Sequence, residues 1–331
     1  MKSPLTIFLL FSVLVAAACH RDLDLRDKTP EEKLNILDIK IHQDQNNARL
    51  YAQRADVFLE LGRVNEAILD LGRAVNLDDD NADYRVRLGE AYLRNGNMGK
   101  CYESLQKALE LRPDSQEILL KLGEAAYYSH DLDRALDHLT HVTEKDANNR
   151  TALSLKSAIY LEKGDTAAAV VLLDKVCGLY PDYAPAFEML GTLYAARRST
   201  VALEYYETAL RLDPDNLNIR YNIAMYYQEQ NQMEQAEAMY KEILDLDETY
   251  QHAWHNRGYI QLFHYGDYEL AVDYFTRALA CDSVFVEALV NRGIAYEMLN
   301  DKEHAREDYR HAVRLQPTFQ PAIDGEMRVK N

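Results

Sequence analysis

The residues able to do chemistry are few and scattered. There is no GxxxxGK stretch to cradle a phosphate, no GxSxG to present a serine nucleophile and no HExxH to hold zinc. His138 with His141 and His252 with His255 stand three apart, so each pair sets two imidazoles on one face of a helix. A zinc site needs a third and usually a fourth ligand, and the sequence fixes neither. These histidines therefore read as structural, with metal binding as the lesser alternative. Asp78-Asp79-Asp80 lacks the Gly and Glu of a calcium loop and reads as a solvated acidic loop. Cys101, Cys177 and Cys281 lie far apart along the chain and read as free thiols protected by burial, one disulfide being the alternative. No catalytic constellation and no cofactor is expected.

Composition narrows the class further. The chain has 331 residues, 47% apolar and 27% charged, enough apolar material for a core and too much for a disordered chain. Only 13 Gly and 8 Pro interrupt it, which favours long helices over a many-turned β protein. The formal charge of −17 disfavours nucleic acid as a main partner, because phosphate binding needs a basic face.

The elements that would position any site begin after a processed leader. Lys2 precedes an uncharged, mostly apolar run from Leu5 to Ala18, too short for a bilayer-spanning helix of about 20 residues and suited to a secretory h-region. Leu14-Val15-Ala16-Ala17-Ala18-Cys19 resembles a bacterial lipobox, which implies cleavage before Cys19 and its lipidation. An ordinary signal peptide or an uncleaved anchor are the alternatives. Residues 1–18 are thus expected to be a lipoprotein signal peptide and 19–28 a charged tether. Residues 29–47 would form a capping helix, with Thr29 as N-cap, Pro30 first in the helix and acids behind it. His20 after the Cys is the pattern that implies outer-membrane sorting in enterobacterial lipoproteins.

From there the chain repeats itself. Small residues recur at Ala55, Gly89, Gly123, Ser157, Gly191, Ala224, Gly258 and Gly293, at intervals of 34, 34, 34, 34, 33, 34 and 35. A second series runs Ala67, Cys101, Ala135, Ala169, Ala202, Ala236, Ala271 and Ala305. The apolar spacing within each unit is helical, with two helices per unit. Gly62, Gly96, Gly164, Asn231, Gly266 and Asn300 sit between them, where a left-handed residue ends the first helix. The small residues are expected to face each other where the helices cross, and large residues such as Tyr92, Tyr194 and Tyr296 to fill the gap beside that crossing. Four residues after the second series, Leu71, Leu105, Leu139 and Leu173 give way to Tyr206, Tyr240, Phe275 and Tyr309. Repeat five is one residue short near Arg197-Arg198, and repeat seven one long near Phe263–Gly266.

These units resemble tetratricopeptide repeats. The resemblance covers 48–319 as eight units, with 320–331 left as a C-terminal cap, and implies an all-α fold: a right-handed superhelical solenoid whose first helices line a concave groove. In repeats one to three the groove positions include Asp56, Glu60, Arg87, Glu90, Lys121 and Glu124, charged and mixed in sign. In repeats six to eight they include Tyr221, Met225, His255, Tyr259, Phe263, Ile294 and Met298, with Asn222, Asn256 and Asn291 at one equivalent position. The family's peptide binders use such an Asn ladder, so Asn222, Asn256, Asn291, Tyr221, Met225, Tyr259, Phe263 and Met298 are the expected peptide site; the alternatives are that Asn is simply common at this position, or that the charged groove of repeats one to three is the working surface. The carboxylate clamp of the chaperone-binding subfamily needs Asn at the ninth position of the first helix, where this chain has Asp56, Glu90, Glu124, Ala158, Thr192, Met225, Tyr259 and Ile294. The expected function is a non-enzymatic adaptor, lipid-anchored at Cys19 in a bacterial outer membrane and facing the periplasm. Its partners would be proteins or peptides of the cell envelope. A holdase chaperone is the main alternative; a solute- or metal-binding protein or an unrecognised enzyme is a weaker one.

Overall fold

The computed structural model describes residues 25–330, so the signal peptide and Cys19 lie outside the described residues. Every regular element described is helical. Helix α1 spans Pro30–Gln43, and α18 spans Gln320–Arg328. Between them run α2 (Ala48–Glu60), α3 (Val64–Leu77), α4 (Ala82–Arg94), α5 (Met98–Leu111), α6 (Gln116–Tyr128), α7 (Leu132–Lys145), α8 (Arg150–Glu162) and α9 (Thr166–Leu179). They are followed by α10 (Ala184–Ala196), α11 (Val201–Leu212), α12 (Leu217–Glu229), α13 (Met233–Leu246), α14 (Gln251–Ile260), α15 (Tyr268–Cys281), α16 (Val286–Met298) and α17 (Lys302–Leu315). The chain divides into two compact bodies, residues 1–155 and 156–331. In each, consecutive helices pack antiparallel-hairpin fashion, α2 on α3 and α4 on α5 in the first, α10 on α11 and α16 on α17 in the second.

Local chemistry explains the boundaries. Thr29 accepts from the Glu32 backbone N–H at 3.2 Å, and the Glu32 carboxylate accepts from the Thr29 N–H at 2.9 Å, a reciprocal cap on α1. Asn81, Ser115, Asn149 and Asn216 cap their helices through side-chain oxygens. Each first helix ends on a left-handed residue, and in all repeats but the seventh the next N–H returns to a carbonyl five residues back, as Asn97 does to Tyr92 at 2.9 Å. Six of these positions hold the expected Gly or Asn. The other two are His130 at φ 57° and Arg198 at φ 53°, where nothing in residue type announces the conformation.

The small residues work differently from the expectation. A Cβ built on Gly89 would sit 2.8 Å from Leu105, on Gly123 2.8 Å from Leu139, and on Gly191 2.5 Å from the Tyr206 ring. The same holds for Gly258 against Phe275 and Gly293 against Tyr309, each at 2.8 Å. The glycine thus meets first the bulky residue of the second helix, and at Gly89 also the Cys101 backbone carbonyl, 3.3 Å away. Missing bulk on one helix is the socket for a ring or an isobutyl group on the other. Leu105, Leu139, Phe275 and Tyr309 are buried as a result, each withdrawing apolar surface worth about 1.5–3 kcal/mol.

The additional residue of repeat seven is absorbed inside its first helix. After α14 the chain makes a π-helical turn over Gln261–Tyr265, closed by the Asp267 N–H on the Gln261 carbonyl at 3.1 Å. The widened turn leaves Phe263, His264 and Tyr265 exposed.

Candidate functional site

In the N-terminal body the first helices are stapled by charge. Lys33 on α1 meets Glu60 on α2 at 3.2 Å, Arg87 on α4 meets Asp56 on α2, and Lys121 on α6 meets Glu90 on α4. Of the charged residues expected to line this stretch of groove, Asp56, Glu60, Arg87, Glu90 and Lys121 are thus committed to ion pairs, and Glu124 is in none among the described residues. Partly exposed pairs of this kind are worth about 0–1 kcal/mol each, but they leave little unpaired charge to recruit a ligand.

In the C-terminal body three of these rungs run through neutral Asn side chains, and only at its end does an ion pair return, Arg328 on α18 meeting Glu297 on α16 at 2.7 Å. Asn222 on α12 donates to Glu188 on α10 at 3.1 Å. Asn256 on α14 donates to the Tyr221 hydroxyl on α12 at 3.1 Å. Asn291 on α16 meets His255 Nε2 on α14 at 3.0 Å. Each Asn reaches the preceding first helix, so the expected row of amides offered to a peptide is instead a row of bonds between repeats. Asn256 is buried, at 8% exposure, as an amide can be only when its groups are satisfied.

Its neighbours fix a proton order. Asn256 Nδ2 donates to the Tyr240 hydroxyl at 2.9 Å as well as to Tyr221, so its Oδ1 is left to accept from His255 Nδ1 at 3.0 Å. That places the imidazole proton on Nδ1 and leaves Nε2 to accept from Asn291. The Tyr240 hydroxyl passes the chain on to Gln228 Oε1 at 3.0 Å. Burial holds the His255 imidazole below its usual pKa, the bond to Asn256 opposing that only in part. With both ring nitrogens engaged, His255 has no lone pair to offer a metal in this arrangement. No group of three potential metal ligands occurs among the described residues.

Next to the rungs lies an open surface. Tyr259 and Phe263 tilt against one another with ring centroids 4.6 Å apart and planes at 50°, and they are 40% and 53% exposed. Met298, from the next first helix, is 55% exposed. Tyr221 and Met225 are half-buried and belong to the rung network, since Met225 Sδ lies 3.2 Å from the Tyr240 hydroxyl. Toward the N-terminal ends of α12, α14 and α16 the face dips into a hollow of about 500 Å³ lined by Tyr221, His252, His255, Phe285 and Glu287 among others. Of the residues anticipated for a peptide, Tyr259, Phe263 and Met298 form the exposed set; Asn222, Asn256, Asn291, Tyr221 and Met225 form its support. His252, Phe285 and Glu287 are the additional lining. The aromatic N-cap at Phe285 is a weak signal, since repeats five and seven carry Tyr183 and Tyr250 at the same place and the others Asn or Ser.

The thiols are not uniformly protected. Cys101 is buried and pushed up to about 11 by desolvation, Cys177 is partly exposed and Cys281 is exposed. Burial therefore shields one of the three.

This arrangement of helix pairs is that of a protein-interaction scaffold, and the comparisons agree. Tetratricopeptide-repeat families match residues 55–96, 82–115, 120–184, 193–256 and 286–319. The chain is a tetratricopeptide-repeat protein. Similar solved structures include a tetratricopeptide repeat protein from Parabacteroides merdae, at 17% identity over 76% of this chain and 99% of that one, with TM-score 0.57. The C-terminal part of a repeat protein from Cytophaga hutchinsonii matches at 18% identity over 72% of this chain and 98% of that one, with TM-score 0.58. A chain of the APC/C hetero-tetramer Cut9–Hcn1 matches at 15% identity over 90% of this chain and 58% of that one, with TM-score 0.56. At these identities the likeness shows the all-α solenoid fold.

Proposed function

We propose that this protein is an adaptor that holds a segment of another protein against the first helices of its C-terminal body, across α12, α14 and α16. The observation that carries the reading is the exposed set Tyr259, Phe263 and Met298 on a face whose polar groups are already satisfied by neighbouring repeats. Exposed aromatic and Met side chains on a rigid support supply burial at small entropic cost, and the rungs hold the backbone still while they do so. The reading is non-enzymatic, in keeping with the tetratricopeptide-repeat fold as an interaction scaffold.

We further propose anchoring by a lipid on Cys19, in a bacterial envelope with the repeats on the periplasmic side of the outer membrane. The small residues before Cys19 support it. Stable anchoring by acyl chains needs two signals, which a diacylated and N-acylated Cys provides. Cys19→Ser should shift the protein out of the carbonate-washed membrane fraction; retention there refutes the anchor.

The binding reading is tested by capture from detergent-solubilised membranes of the native host. Tyr259→Ala with Phe263→Ala should weaken capture of the main partner about tenfold or more while helicity is unchanged. Exchanging Asp56 and Arg87 (Asp56→Arg with Arg87→Asp) preserves that rung and should capture normally. Normal capture by the aromatic variant together with loss in the charge exchange would move the working surface to the N-terminal body. Capture of many unrelated apolar chains in place of one or two partners would make it a holdase.

A further inference from the structure

We infer that the hollow at the N-terminal ends of α14 and α16 is a seat for a cationic side chain of the bound segment, arginine above all. This rests on the groove reading above and adds the chemistry of one contact. The hollow, about 500 Å³, is walled by Tyr221, His252 and Phe285 and edged by Asp282 and Glu287. It falls within the roughly 300–1,000 Å³ typical of small-ligand sites, ample for one long side chain with its flanking backbone. The rings form a continuous wall: His252 packs edge-on to Phe285 at 5.2 Å between centroids and tilts against Tyr221 at 6.2 Å. A guanidinium can lie against such rings while keeping donors for a carboxylate.

The charges decide the sign of the ligand. Glu287 is exposed, and no described lysine or arginine pairs with it. Asp282 accepts from the Val284 N–H at 3.1 Å through one oxygen and is only partly exposed. The opposing influence is the start of α16, where Phe285 provides no side-chain cap and the helix end amounts to about half a positive charge. Two whole negative charges outweigh it, and the hollow is a poor seat for an anion. His255 brings no positive charge to the hollow at neutral pH, because burial and its two bonds hold it neutral.

The test uses the intact protein and three blocked amino acids as probes: Nα-acetyl-arginine, -leucine and -glutamate methylamides. Binding is read from NMR shifts of the His252 and Phe285 rings. The arginine probe should shift both saturably, bind more weakly at high salt, and lose about fivefold in affinity with Glu287→Gln, which corresponds to about 1 kcal/mol. Leucine matching arginine would overturn the proposal in favour of a plain apolar dent; glutamate binding best would hand the site to the helix end. No shift with arginine overturns it outright. If the probe fails while Tyr259→Ala with Phe263→Ala still abolishes capture, only this contact is wrong. If the probe binds and that double variant captures normally, the groove reading fails instead.

Discussion

Removing Asp308 should cost far more than removing Asp70, although the two look alike. Each is buried, at 6% and 3% exposure, and each grips an arginine with both oxygens. In repeat eight Arg292 donates from Nε to Asp308 Oδ2 at 2.8 Å and from Nη2 to Oδ1 at 2.7 Å. In repeat one Arg54 does the same to Asp70 at 2.6 and 2.8 Å. The difference lies in what remains. Arg54 also holds Asp38 at 2.6 Å, whereas Arg292 keeps only the neutral hydroxyl of Thr276 at 3.0 Å. Breaking a buried pair from one side costs about 3–5 kcal/mol because a charge is stranded. The Arg292 side chain retains 20% exposure, which places Asp308→Ala near about 3 kcal/mol, at the low end of that range. For Asp70→Ala the surviving carboxylate removes much of the penalty, leaving about 1–2 kcal/mol, nearer the cost of lost hydrogen bonds. Native-state hydrogen exchange resolves this, since repeats open locally. Asp308→Ala should accelerate exchange in α16–α18 by about a hundredfold, from about 1.4 kcal/mol per decade. Arg292→Leu with Asp308→Leu should restore most of the protection. Equal losses for the two aspartates, or a loss under about 1 kcal/mol at Asp308, would refute the stranded-charge argument.

Gly191→Ala places a Cβ 2.5 Å from the Tyr206 ring and should cost about 1–3 kcal/mol by overpacking. Hydrogen exchange should show the loss concentrated in α10–α12, uniform loosening being the contrary result. Acid should destabilise the fold, because burial lowers the pKa of both His255 and His138. Below the ordinary imidazole pKa of about 6.5 the unfolded chain takes up protons that these folded residues resist, so stability present above that pH is lost as pH falls through it. The exposed His304, raised by Asp301, acts in the opposite sense but weakly, being in solvent. A melting temperature that does not fall between about pH 7.5 and pH 5.5, or a slope unaltered by His255→Gln, would count against this. A thiol reagent should modify Cys281 first, Cys177 later and Cys101 only on unfolding, read by mass spectrometry; early labelling of Cys101 would contradict its burial.

The repeat and its helices were legible because a 34-residue spacing of small residues has one simple cause. What the small residues face was not, since side-chain direction, not spacing, decides whether Gly191 meets Ala202 or Tyr206. Two features readable separately, the change from Leu to Tyr or Phe and the row of Asn, meet in one repeat, which is visible only in three dimensions. Asn222, Asn256 and Asn291 each follow Tyr206, Tyr240 and Phe275 by sixteen residues, and Asn256 bonds the Tyr240 hydroxyl across the repeat boundary. Gly325 stands at the same offset from Tyr309, where a Cβ would come within 2.4 Å of the ring. The amides looked available for a peptide because composition does not say which polar groups are already satisfied. The hollow at Phe285 escaped notice because its lining comes from three first helices and the loop before α16.

The neutral rungs have a consequence for how each body tolerates change. In the N-terminal body Asp56 and Glu90 occupy groove positions and also staple the helices, so altering the groove's charge there loosens the stack. In the C-terminal body the stapling falls to Glu188, Tyr221, His255 and their Asn partners, while Tyr259, Phe263 and Met298 stand outside those bonds. On the binding surface proposed above, recognition and cohesion would fall to different side chains. The exposed set could then be rewritten for a new partner without re-solving the packing beneath it, so specificity would be free to drift in the C-terminal body.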